Sequence, residues 1–142
     1  MLKIFILEDN EDRIQWFKKT FKKCKLYITK DINKALSMLL SNNFDAIFLD
    51  HDLDEFDVSK TGRELTRQMK KKKIAPLTPV ILHTKNPLGR RKMARHLLKY
   101  KPKQYIHYVI YSELKKYKAD MIYAMISVSP TKNKKINKKK DK

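Results

Sequence analysis

The chain is poor in the residues that mark several large functional classes. Its 142 residues include one cysteine, Cys24. An internal disulfide and a CxxC redox or zinc pair are therefore excluded, and a reducing cytoplasm is the simplest setting. Glycine occurs twice and proline five times, too rarely for a collagen-like or low-complexity chain. There is no Gly-rich phosphate loop and no GxSxG elbow, so activities built on those turns have no support. No apolar run approaches the roughly 20 residues of a membrane span, and no membrane partner is expected. The start, Met1 to Asp9, turns acidic too soon for a secretory signal. Acids are the scarce charge, 15 against 34 Lys and Arg, for a formal charge of +19. A field of that size favours anionic partners such as nucleic acids, nucleotides or acidic surfaces.

What is present fits one packed domain. Apolar residues make up 42% of the chain, enough for a single core at this length. Residues 127–142 read as a separate, disordered tail. Its last dozen residues, Thr131 to Lys142, hold seven Lys, one Asp and one apolar residue, Ile136, too little apolar surface to repay ordering. Such a tail adds non-specific, salt-sensitive affinity for nucleic acid. The Lys- and Asn-rich composition suggests an AT-rich genome; if that genome is viral, the setting is the host cytoplasm.

Over residues 1–126 the pattern alternates between strand and helix. Strands are expected at Lys3–Leu7, Lys25–Thr29, Asp45–Leu49, Pro79–His83 and Tyr105–Tyr111. Helices are expected over Glu11–Lys23, from an Asp31 cap to Leu40, from a Thr61/Glu64 capping box to about Lys72, after an Asn86-Pro87 start, and from Ser112 or Glu113 to Ile126. Ala35, Leu36, Leu39 and Leu40 form the inner face of the second helix. Three strands are continuous aliphatic runs, as strands covered on both faces must be. The pattern predicts an α/β, flavodoxin-like fold: a five-stranded parallel sheet, order 2-1-3-4-5, with helices on both faces.

Ligands in such sheets bind beyond the carboxyl ends of the strands, where strands 1 and 3 part. Nine of the fifteen acids fall there, in two windows: Glu8, Asp9, Glu11 and Asp12, then Asp50, Asp52, Asp54, Glu55 and Asp57. Crowded carboxylates repel unless a cation lies between them. Asp9 and Asp50, with Glu8 or Asp52, are thus candidate ligands for a hard divalent cation; oxygen ligands suit magnesium, manganese or calcium, and magnesium or manganese is the expected one. Asp54, Glu55 and Asp57 read as loop solvation. His51 and His83 end neighbouring strands and can supply a base and an acid near neutrality. Thr84, Asn86 and Arg90 surround the start of the fourth helix, whose free N–H groups favour phosphate. Lys85 lies in the same region, while Arg91, Lys92 and Arg95 read as an exposed basic helix face. His96 is expected at the surface, His107 on a strand face, Lys70–Lys73 at a solvated helix end, and Trp16 and Cys24 in packing roles.

This layout resembles a receiver domain of response regulators. Glu8-Asp9 matches its acidic pair, Asp50 its phosphoacceptor and Thr84 its Thr/Ser. The lysine that receivers carry after strand 5 is missing from Val109-Ile110-Tyr111-Ser112-Glu113. Leu49-Asp50-His51-Asp52-Leu53, Thr61-Gly62 and His83-Thr84-Lys85-Asn86-Pro87-Leu88-Gly89, followed by Met93, resemble more closely the cyclic-phosphate processing receiver-like family. Arg13 resembles the arginine of that family's first motif, which adds it to the substrate-binding candidates. The resemblance implies a phosphodiesterase-like hydrolase acting on a 2′,3′-cyclic-phosphate RNA end or a cyclic (oligo)nucleotide. His51, His83, Asp50 and Asp52 would be catalytic. Thr84, Asn86, Arg90 and Arg13 would hold substrate, and Asp9, Asp50 and Glu8 a cation. Two alternatives are a binding module or sponge for the same ligand, and an atypical response-regulator receiver.

Overall fold

The computed structural model describes residues 1–53, 60–117 and 119–126. Its elements follow in the order β1 (Lys3–Leu7), α1 (Glu11–Thr20), β2 (Lys25–Thr29), α2 (Ile32–Ser41), β3 (Ala46–Leu49), α3 (Gly62–Lys72), β4 (Val80–Leu82), α4 (Pro87–Leu98), β5 (Ile106–Tyr108), α5 (Tyr111–Leu114) and α6 (Ala119–Ile126). All five strands are parallel, in the order β2-β1-β3-β4-β5. This is the flavodoxin-like arrangement the alternating pattern predicts. The tail from residue 127, and Asp54, Glu55 and Asp57, lie outside the described residues.

Strand alternation sorts the core into two layers. Phe5 and Leu7 of β1, with Ile47 and Leu49 of β3, pack against Ala35, Leu39, Leu65, Met69, Met93 and Leu97 of α2, α3 and α4. Ile4, Ile6, Ala46 and Phe48 face the other way, onto Phe17 of α1, Phe21, Leu114 of α5 and Ile122 of α6. Asn10, Asp31 and Asn86 cap α1, α2 and α4 by accepting from the N–H three residues on.

Several local expectations change. Leu40 is 57% exposed, because the stripe on α2 narrows to Ala35 and Leu39 with Leu36 packed beside them. Thr61 is the N-cap of α3 but its side chain makes no capping bond; Glu64 instead binds Arg67 and Gln68. The final helix falls into two pieces, α5 and α6. The chain tightens between them, where Lys116 and Tyr117 donate to carbonyls only three residues back. His96 is half-buried rather than superficial, its Nδ1 3.0 Å from the Thr66 hydroxyl across the α3–α4 interface. At the far end of α4, Tyr100 donates to the Ile74 carbonyl and the buried Lys101 ammonium to the Ala75 and Thr78 carbonyls. They hold the loop between α3 and β4, where Lys73 and Ala75 adopt positive φ. Burial pulls the Lys101 amine down to about 7.

Candidate functional site

Register assembles the site. Leu7 pairs with Leu49, and Leu49 with Leu82. The next residues of these strands are Glu8, Asp50 and His83, side by side. All three share the parity of Ile6, Phe48 and Ile81, so their side chains point toward α1. They offer ligand atoms within 4.8 Å of one another and are 1%, 3% and 0% exposed.

Helix α1 brings a counter-charge. One terminal nitrogen of Arg13 lies 3.3 Å from Asp50 Oδ2 and 3.6 Å from Glu8 Oε1. Its guanidinium packs on the Tyr111 ring at 5.0 Å. The cation beside Asp50 therefore comes from α1, and Tyr111 stands just past β5 in the stretch that lacks a lysine. Glu8 accepts from His83 Nε2 at 3.0 Å and from the Asp9 and Asn10 amides. Burial pushes the Glu8 carboxyl up, but its bonds to His83 and Asn10 and the Arg13 charge outweigh that and hold it below its ordinary value. Asp50 goes the other way. Burial raises it from 3.8 to about 6, only partly offset by His83, the His51 amide and Arg13.

That shift has a sign. The folded protein keeps the Asp50 proton up to about pH 6, whereas the unfolded chain releases it near 3.8. The stability due to this proton is complete below the lower value and is lost as pH rises through the upper one. Asp50→Asn should therefore raise Tm at pH 7 by several degrees and flatten the fall in stability between about pH 4 and 6. Calorimetric scans of both proteins across that range check it, and parallel curves would contradict it.

His51 is one residue beyond Asp50, so it has the opposite parity and faces α4. The sequence pattern predicts His51 and His83 as a base–acid pair at adjacent strand ends. The pleat separates them instead. His83 is enclosed against Phe17 and Phe48, with Nδ1 making no hydrogen bond among the described residues. His51 lies on the α4 side, its side chain 13% exposed. Its Nδ1 is 2.7 Å from Asp52 Oδ1, which also accepts from Asn86 Nδ2 at 3.2 Å. A carboxylate can only accept, so Nδ1 carries the proton, and Nε2 keeps a lone pair that finds no partner among the described residues. Asn86 Oδ1 in turn accepts from the Gly89 amide.

Both glycines of the chain abut this corner. An added Cβ at Gly62 would lie 2.0 Å from the Asp50 carbonyl oxygen, and one at Gly89 2.4–2.7 Å from three ring atoms of His51. The remaining candidates are placed as follows. Thr84 is buried and accepts from the Asn86 amide, so it positions that residue. Asp9 is half-exposed and stands outside the converging group of Glu8, Asp50 and His83. Arg90 turns away to the Tyr108 ring, 5.6 Å off. The buried Glu8–His83 pair and the Arg13–Tyr111 stack were not legible in the sequence. Strand parity, read from the alternating core residues, is the signal that would have found the first.

Residues 4–99 match the cyclic-phosphate processing Receiver domain family. Solved receiver domains share the fold at low identity. One from Methanospirillum hungatei is 16% identical, covers 95% of this chain and 98% of its own, and superposes with a TM-score of 0.66. A Thermotoga maritima response regulator, solved in complex with Mg(2+)-BeF, is 18% identical over 88% and 99%, TM-score 0.60. The receiver domain of a Pseudomonas aeruginosa sensor histidine kinase, with magnesium coordinated in its active-site cleft, is 17% identical over 90% and 96%, TM-score 0.63. The comparison with curated proteins gave no match. Among the described residues no helix is long and apolar enough to cross a membrane.

Proposed function

The chain belongs to the cyclic-phosphate processing receiver domain family, and on that footing we propose that it hydrolyses a cyclic phosphate, either a 2′,3′-cyclic-phosphate RNA end or a cyclic (oligo)nucleotide. One observation carries the reading: the His51 imidazole, fixed through Nδ1 by Asp52 and with Nε2 unpartnered among the described residues, beside the first turn of α4. In the proposed step His51 Nε2 takes a proton from water as its oxygen bonds to phosphorus. One ring P–O bond breaks, and the protonated imidazole returns the proton to the departing oxygen. Asp52 holds the tautomer and balances the charge. The second N–H of Asn86 Nδ2, the Lys85 ammonium and the Leu88 amide at the start of α4 face the non-bridging oxygens, where charge grows. His83 and Glu8 position rather than react: they fix Arg13 and, with it, the end of β3.

A divalent cation fits the same corner. Two carboxylates and an imidazole nitrogen converge, with ligand atoms within 4.8 Å of one another. Glu8 and Asp50, with His83 once Nε2 gives up the proton it donates to Glu8, would hold magnesium or manganese in place of the Arg13 guanidinium, and the bound ion would supply charge to phosphate oxygens. The magnesium in the solved receivers named above agrees with this choice.

The test is incubation of the full chain with cyclic-phosphate RNA ends and a panel of cyclic mono- and oligonucleotides, with and without these metals. Ring-opened product is expected; no turnover of any, at high protein concentration, removes the hydrolase reading. The enclosure of His83 favours a second reading, because it leaves one open imidazole where ring opening by separate base and acid needs two. The protein would then sequester the cyclic phosphate uncleaved, and calorimetry would show tight binding with intact ligand recovered. Phosphorelay through Asp50 is the least supported. With Arg13 against the carboxylate and no lysine in Val109 to Glu113, small phosphodonors should leave Asp50 unlabelled in intact-mass spectra.

A further inference from the structure

We propose that the groove between α4 and β5 binds a single strand of nucleic acid, so that the phosphate handled at His51 is the end of a strand; this last clause rests on the function proposed above, whereas the strand binding does not. The groove encloses about 670 Å³. Arg91, Arg95 and Lys99 line one side, all exposed. They recur every four residues on one helix face, about 6 Å of rise per step, a spacing that suits successive phosphates of an extended strand. Helix α4 contains no acid to oppose them. The floor is apolar and open: Leu98 is 47% exposed and Tyr108 49%. Arg90 already lies 5.6 Å over the Tyr108 ring, a stack whose other face suits a base.

Cations in a row beside an aromatic platform are what sequence-tolerant single-strand binding requires. An acidic peptide would answer the charge but leave Tyr108 and Leu98 without a flat partner. The groove also leads to the site. Gly89, against which the His51 ring rests, directly precedes Arg90, and Tyr108 pairs with Leu82, the residue before His83.

The experiment is fluorescence anisotropy with a labelled eight-nucleotide RNA, using the full chain so that the basic tail is the same in every sample. The surface variant Arg91→Ser/Arg95→Ser/Lys99→Ser should bind at least tenfold more weakly. Its plot of log affinity against log salt should be shallower by about 2, as three fewer phosphate contacts imply. Tyr108→Ser should weaken RNA about tenfold and polyphosphate not at all, since polyphosphate has no base to stack. Wild-type affinity in the triple variant, an unchanged affinity for RNA in Tyr108→Ser, or displacement of the RNA more readily by an acidic peptide than by unlabelled RNA would each overturn the proposal. Because the readout is binding, absent hydrolysis would count against the activity at His51 and not against the groove.

Discussion

Turnover of a cyclic phosphate ester should fall by about 10²–10⁴-fold when His51 becomes glutamine, the range lost with a general base. Glutamine keeps a donor for Asp52 and fills similar space, but has no proton acceptor of suitable pKa. Binding, followed by calorimetry, should therefore survive while kcat collapses. Gly89→Ala gives an independent approach to the same imidazole. Its Cβ would press within 2.4–2.7 Å of three ring atoms, and a ring on a flexible side chain relieves that by swinging off Asp52. Alanine is otherwise the better helix residue by about 1 kcal/mol, so Tm should hold while turnover drops at least tenfold. A variant with wild-type kcat at either position would show that the imidazole takes no part.

Gly62→Ala should act on the fold instead. At the first position of an ordinary helix this exchange is neutral or slightly stabilising, because alanine has less backbone entropy to lose. Here the new Cβ would lie 2.0 Å from the Asp50 carbonyl oxygen and 3.0 Å from its carbon. Both are backbone atoms of a buried strand end and cannot turn aside. Relief requires α3 to lift from β3, which strains the 2.9 Å bond from the Gly62 amide to the His51 carbonyl and loosens Leu65 and Met69 in the core. A loss of about 3 kcal/mol, or a Tm lower by roughly 10 °C, is expected. Urea unfolding of the purified variant measures it, and a midpoint equal to wild type would mean that α3 moves freely.

The sheet was readable from short-range pattern. Ala46–Leu49 and Val80–Leu82 are aliphatic runs that only two-sided burial explains, and Asp31 and Asn86-Pro87 announce their helices through local capping chemistry. The His51–Asp52–Asn86 chain was legible in part, since its members cluster in two short motifs at a predictable rim. The Glu8–His83 bond was not, because it joins residues 75 apart and depends on which way each strand end points. Arg13 was expected at the substrate and is found bracing Asp50. Its place is set by Tyr111, nearly a hundred residues away, and no local signal in Glu11–Thr20 reveals that stack. The glycines were noted for being few, yet their close approaches to Asp50 and His51 follow from helix placement that periodicity does not supply.

Helix α4 is moored at both poles. Asn86 ties its beginning to Asp52, with Gly89 packed against the His51 ring, while Tyr100 and Lys101, just past its end, grip the α3–β4 loop on the opposite side of the molecule. A rod pinned at each extremity cannot tilt like a lever. Occupation of the cleft would thus stay a local event, and the domain would carry out its chemistry without relaying news of it to a distant surface.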